Sequence, residues 1–150
     1  MKKLLIILIL IFFLFGCYDN YNNIENPEIP SLMVSFDNDE ITVVRGTYDW
    51  TITDGKYSTN FHADTESSEK IAEYMNGNII LPQTQLNLKF SQTPKKVNVI
   101  YWGEIIDVEY NFTDSIITVP NEEGIYVFEI VSEWEKGKVS YTIKIIVKNN

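Results

Sequence analysis

The last quarter of the chain alternates apolar and polar residues with a period of two over two long runs, a pattern that fits a half-buried strand and not a helix. From Tyr141 to Val147, Tyr141, Ile143, Ile145 and Val147 fall on one side while Thr142 and Lys144 fall on the other. From Gly124 to Trp134, Tyr126, Phe128, Ile130 and Trp134 share one parity, and Glu129 and Glu133 share the other. The intervening Glu135-Lys136-Gly137-Lys138 predicts a hairpin turn, with Gly137 supplying backbone freedom that other residues lack. The larger face of this hairpin is expected to pack on a core.

Earlier stretches repeat the pattern. Leu86, Leu88 and Phe90 alternate with Asn87, Lys89 and Ser91, and Pro82 and Pro94 lie outside that run, where they cost no ladder hydrogen bond. Val108, Tyr110 and Phe112 alternate likewise, and Thr113-Asp114-Ser115 then turns the chain into Ile116 to Val119. Ser31 to Asp37, Glu40 to Arg45 and Thr47 to Thr53 predict further short strands, separated by Asp37-Asn38-Asp39 and by Gly46. Another strand carries the adjoining Tyr101 and Trp102. Strands of this length with turns at this spacing predict an all-β fold, either a two-sheet sandwich or a small barrel. One stretch departs from it. Asp64 or Thr65 can cap a short helix over Glu66 to Asn76, with Glu66 and Glu69 at its amino end, Ile71 and Met75 on one face, and Gly77 ending it. It is expected to cross between the sheets.

The opposite end of the chain has another character. Lys2 and Lys3 precede an unbroken apolar run from Leu4 to Phe15, followed by Gly16 and Cys17, the only cysteine. The run is 12 residues long, short of the roughly 20 that a membrane span needs. Leu14-Phe15-Gly16-Cys17 resembles the processing segment of bacterial lipoproteins, although Phe15 is bulkier than that pattern usually carries. The resemblance implies a signal peptide over 1–16 and lipidation of Cys17 on its sulfur, which places the mature chain on the extracytoplasmic face of the cell membrane. Residues 17–30 are rich in Asn and Pro and are expected to form a flexible tether, leaving 31–150 as the folded domain. Removal of Lys2 and Lys3 with the signal takes the formal charge from -9 to -11. Such a surface repels phosphate backbones, so nucleic acid is not an expected partner, and it disfavours self-association, so a monomer is expected. With its thiol lipidated the chain has no disulfide to use, and a hydrophobic core must hold it together.

The chemical inventory is sparse. His62 is the sole histidine and is expected in a loop. There is no Gly-rich phosphate loop, no paired cysteine motif and no nucleophile elbow around any serine. An enzyme is not expected, and no catalytic, cofactor-binding or metal-ligating residue stands out. Asp37, Asp39 and Glu40 gather near a turn where a calcium ion could find oxygen ligands, but they lack the spacing of an EF-hand loop, and a solvated turn is the preferred reading. Asp64, Glu66 and Glu69 suit the electrostatics of a helix amino end.

The aromatic residues carry the remaining signal. Trp50, Trp102 and Trp134 are candidate ligand contacts, because an exposed indole can stack on a sugar ring or supply contact area to a protein, while a core also needs large residues. The segments Gly46-Thr47-Tyr48-Asp49-Trp50, Leu86-Asn87-Leu88-Lys89-Phe90 and Val119 through Tyr126 to Trp134 and Tyr141 resemble a group of small lipoproteins of low-GC Gram-positive bacteria. Pro120 to Tyr126 is also similar to the lead-in of a late strand in immunoglobulin-like domains, where a turn reaches a tyrosine; the accompanying cysteine is missing. These resemblances imply an immunoglobulin-like β-sandwich with one short crossover helix, and they bring no activity with them. The expected function is a lipid-anchored binding or accessory module that contacts an envelope protein or a small ligand. The alternatives are a cell-wall carbohydrate binder using the tryptophans and, more weakly, an envelope hydrolase built on two carboxylates.

Overall fold

The computed structural model describes residues 27–102 and 115–149. The signal segment, Cys17, most of the expected tether and the strand expected at Val108 to Phe112 lie outside the described residues. Within them the chain forms β1 (Leu32–Phe36), β2 (Asp39–Ile41), β3 (Val43–Asp54), β4 (Tyr57–Ala63), α1 (Ser68–Glu73), β5 (Asn78–Ile80), β6 (Gln85–Phe90), β7 (Lys96–Trp102), β8 (Ile116–Thr118), β9 (Gly124–Trp134) and β10 (Gly137–Val147). Two sheets result among the described residues. The smaller has the order β2-β1-β6-β8; the larger has the order β4-β3-β10-β9-β7, with β5 pairing in parallel to the far end of β10.

The expected hairpin is the spine of the larger sheet. β9 and β10 pair without interruption from Gly137↔Trp134 to Val147↔Gly124. Of the residues the alternation marks, Tyr126, Phe128, Ile130, Tyr141, Ile143, Ile145 and Val147 are buried and Trp134 is half-buried; Val139, which it did not mark, is buried with them. Leu32, Val34, Ile41, Leu86, Leu88 and Ile117 of the smaller sheet join the same buried cluster, so one core draws on both sheets. Each fully buried Ile or Val there contributes about 1.5–3 kcal/mol relative to exposure. Gly137 adopts φ of 153°, and a Cβ at that position would collide with the Asp49 carbonyl on β3.

Two expected strands merge into one. Instead of separate strands on either side of Gly46, β3 runs through it with a bulge: Val139 faces Tyr48 while Tyr141 faces Arg45, so Gly46 and Thr47 together oppose Ser140. The extra residue reverses the parity of the strand. Val43 on one side of the bulge and Tyr48, Trp50 and Ile52 on the other therefore all meet the core. Glycine fits because a Cβ on residue 46 would press on the Ser140 hydroxyl.

The helix is shorter than expected and starts later. Ser67 caps it, its side chain accepting the Lys70 N–H, and α1 spans six residues. Thr65 is engaged elsewhere, its N–H donating to the Thr47 hydroxyl oxygen at 3.2 Å. The helix also packs on one sheet instead of crossing between two: Ser68 Oγ meets Thr142 Oγ1 at 2.8 Å in a buried contact on β10. Lys144 Nζ donates to the carbonyls of Ala72 and Met75 at 2.9 and 3.0 Å, which satisfies the carboxyl end of the helix with a cation. Gly77, with φ of 76°, then turns the chain into β5.

The packed domain begins before Ser31. Pro30 is buried, Ile29 packs against the core, and the Pro30 carbonyl accepts the Tyr141 hydroxyl at 2.8 Å. The last residues of the expected tether are thus held on the domain.

Candidate functional site

A strand buries one face and presents the other, so the outer face of the larger sheet can be read from the register. At one end a charged row crosses five strands: His62 on β4, Asp49 on β3, Lys138 on β10, Glu133 on β9 and Lys96 on β7 are successive register partners. Lys138 and Glu133 form an ion pair at 2.9 Å. This end is a solvated face with alternating charge.

The middle of the face is covered by α1. Beyond it the character changes. Ile79 on β5, Ile146 on β10 and Ile125 on β9 are register partners in one row across three strands. Ile79 and Ile125 are 68% and 62% exposed, and Ile146 is half-buried. Leu81, just past β5, adds 47% exposure. In the neighbouring row Trp102 on β7 faces Val127 on β9, which faces Lys144. The result is an aliphatic strip at the end of the sheet away from the β9–β10 turn. Side chains of this kind are not expected together on a solvated surface.

The three tryptophans separate. Trp50 is 1% exposed and lies edge-on to Trp134, with ring centroids 5.7 Å apart, so it has no face for a ligand. Its expected role as a contact gives way to a core role, because the bulge in β3 aims it inward. Trp134 is half-buried; its indole N–H donates to the Gln92 carbonyl at 3.0 Å, and Phe90 lies edge-on at 5.9 Å. Trp102 alone of the three sits on the outer face, where its N–H donates to Glu129 Oε2 at 3.0 Å.

His62 lies on β4, not in a loop, and its Nε2 stands 3.1 Å from Asp64 Oδ2, both side chains being well exposed. Asp37 and Asn38 form the two-residue turn between β1 and β2, with Asp37 at φ of 49°. Among the described residues no group of three or more His, Cys, Asp or Glu is placed to hold a metal ion. Glu66 precedes the Ser67 cap, and Glu69 lies in the first turn of α1, where a carboxylate complements the helix dipole.

The strip was not singled out by the alternation, although the sequence carries a trace of it. Ile145-Ile146-Val147 and Ile125-Tyr126-Val127-Phe128 place apolar residues where the polar phase of a half-buried strand belongs. The partner residue Ile79 comes from a three-residue strand whose parallel pairing is visible only in the folded chain.

Comparison with protein-family models, with curated proteins and with solved structures found no match to this chain. Among the described residues no helix is long and apolar enough to cross a membrane.

Proposed function

We propose that the chain is a lipid-anchored extracytoplasmic module with an immunoglobulin-like sandwich, which binds a protein of the cell envelope through the row Ile79–Ile146–Ile125. The strand arrangement supports the fold reading. β6 beside β8 in one sheet and β7-β9-β10 in the other follow the order of strands B and E against C, F and G in immunoglobulin-like domains. Tyr126 donates its hydroxyl to the Glu122 carbonyl at 2.8 Å, four residues upstream, as in the tyrosine corner of those domains. Phe128, two residues further on and buried, stands where antibody domains carry the second cysteine of the inter-sheet disulfide. Packing takes the place of the covalent link.

The observation that carries the binding reading is the aliphatic row itself, continuous in register across three strands and, among the described residues, largely exposed at Ile79 and Ile125. Its position favours a protein over the membrane as its target. The chain enters the domain at the other end, where Gln92 Nε2 donates to the Glu28 carbonyl and Trp134 meets Gln92. From Trp134 to Ile125 along β9 is about 30 Å at the usual rise of a strand. A lipid on Cys17 would thus pull on the end opposite the row.

Two measurements test this reading. Mass spectrometry of the mature amino-terminal peptide is expected to find diacylated Cys17, and an unmodified cysteine overturns the anchor. A photo-crosslinking residue at Ile125 of the anchored chain on cells is expected to capture a discrete protein that the same residue at Thr53 does not, with capture lost in Ile79→Glu. Equal capture from both positions overturns the binding surface, and capture replaced by glycan-dependent quenching of Trp102 fluorescence transfers the reading to carbohydrate.

A further inference from the structure

The outermost strand β4 is an edge unlike the others. Among the described residues it is the terminal strand of the larger sheet, seven residues long, and it pairs with β3 without a bulge from Tyr48↔Ala63 to Asp54↔Tyr57. Sheet edges in monomers are kept from pairing by short length, charge, proline or a bulge. β2 and β8 have three residues each, β2 carries Asp39 and Glu40, and β7 opens with Lys96 shortly after Pro94. β4, Tyr-Ser-Thr-Asn-Phe-His-Ala, has none of these devices apart from His62. Tyr57 on it is 81% exposed.

We infer that β4 is a self-association edge, pairing antiparallel with β4 of a second copy across a two-fold axis at Asn60. The register follows from the backbone. The two-residue loop Gly55–Lys56 closes the β3–β4 hairpin on the pair Asp54–Tyr57, and alternation then aims the N–H and C=O of Ser58, Asn60 and His62 away from β3. The contact of Thr53 Oγ1 with Ser58 Oγ at 3.0 Å agrees with this phase, since side chains approach most closely at non-hydrogen-bonded pairs. Full overlap of the seven residues puts Asn60 opposite Asn60 of the second copy, Ser58 opposite His62, Thr59 opposite Phe61 and Tyr57 opposite Ala63. Every pair matches in face, as an isologous continuous sheet requires.

The same register supplies charge complementarity that was not used to choose it. Lys56, one residue before the strand, comes opposite Asp64, one residue after it, and the symmetry makes this pair twice. Both are exposed in the single chain. The monomer expected from the overall negative charge gives way here because that charge is not on β4. This surface is separate from the row at Ile125, so the two readings succeed or fail independently.

The test uses the full chain in detergent. Sedimentation velocity is expected to show a dimer of the chain that Asn60→Pro converts to monomer; the N–H it removes points away from β3, so the fold survives, which circular dichroism checks. Lys56→Glu is expected to weaken the dimer about tenfold, and adding Asp64→Lys to restore it. Oxidation of Asn60→Cys is expected to give a disulfide-linked dimer faster than Glu69→Cys, a comparison that separates it from any link through Cys17. A wild-type monomer at the highest soluble concentration, a dimer that Asn60→Pro leaves intact, or equal crosslinking at residues 60 and 69 overturns the proposal, as does pairing of β4 with a different protein alone.

Discussion

Tyr141 and Ile146 lie on one strand, five residues apart, and face opposite ways. Around Tyr141 the inner face of β10 is closed: Phe90 lies edge-on at 6.2 Å, and the hydroxyl reaches the Pro30 carbonyl. Around Ile146 the outer face is more open: Gly77 lies against its side chain, and its register partners Ile79 and Ile125 are 68% and 62% exposed. The difference teaches that apolar character alone does not mark the core in this chain. Residues of the same type hold the fold on one face, and on the other stand largely exposed at Ile79 and Ile125.

The comparison breaks most visibly at Trp50. Trp50→Ala removes the largest fully buried side chain, and a loss of about 3–5 kcal/mol is expected in chemical denaturation, a large share of the roughly 5–15 kcal/mol that holds an ordinary domain folded. A smaller effect is expected at Tyr141. Tyr141→Phe leaves the Pro30 carbonyl buried without its donor and should cost about 1–3 kcal/mol. It also has a signature in pH. Burial pushes the Tyr141 phenol above its ordinary value of 10.0, against a smaller opposing pull from Arg45. The folded state therefore keeps this proton where the unfolded chain loses it. The stability it contributes is complete below pH 10 and declines as pH rises beyond 10. Melting temperatures measured across the alkaline range should fall more steeply for the wild type than for Tyr141→Phe.

Ser132 sharpens the comparison from within. It occupies an inward position on β9, is fully buried, and among the described residues its hydroxyl has no partner. Ser132→Ala is expected to leave stability unchanged or raise it by up to about 1 kcal/mol, since a desolvated, unpaired hydroxyl is removed. A clear loss in equilibrium unfolding would show that this hydroxyl does find a bond. The smallest effect on folding belongs to the outer row. Ile125→Ser should move stability by no more than about 0.5 kcal/mol while abolishing crosslinking from Ile79, and a large destabilisation would place Ile125 in the core after all.

Much of the fold was legible because burial on one face of a strand writes itself as alternation. β6, β9, β10 and the hairpin between the last two follow from side-chain parity and one glycine, all local properties, although the turn itself is only Glu135–Lys136 and Gly137 opens β10. β4 was missed because its residues are nearly all exposed and leave no apolar phase to read. β5 was missed because three residues are too few to show a period, and its parallel pairing joins residues 78–80 to 145–147. The bulge at Gly46 looked like a break between two strands because a parity change in sequence is the same whether the chain turns or bulges. Trp50 and Trp102 were alike as candidates, and only packing sent one into the core and left the other beside Glu129.

The sequence by itself determined that the described chain is a β domain with a buried aromatic and aliphatic face, since period-two alternation is a local consequence of strand geometry. It also determined the charge of the whole chain. The tertiary structure decided which strands are neighbours, that α1 lies on one sheet, that residues near Pro30 belong to the domain, and that β4 is an edge among the described residues. These depend on contacts between residues far apart in the chain, where the closing of loops and the filling of a shared core select one arrangement from several that local pattern permits equally well.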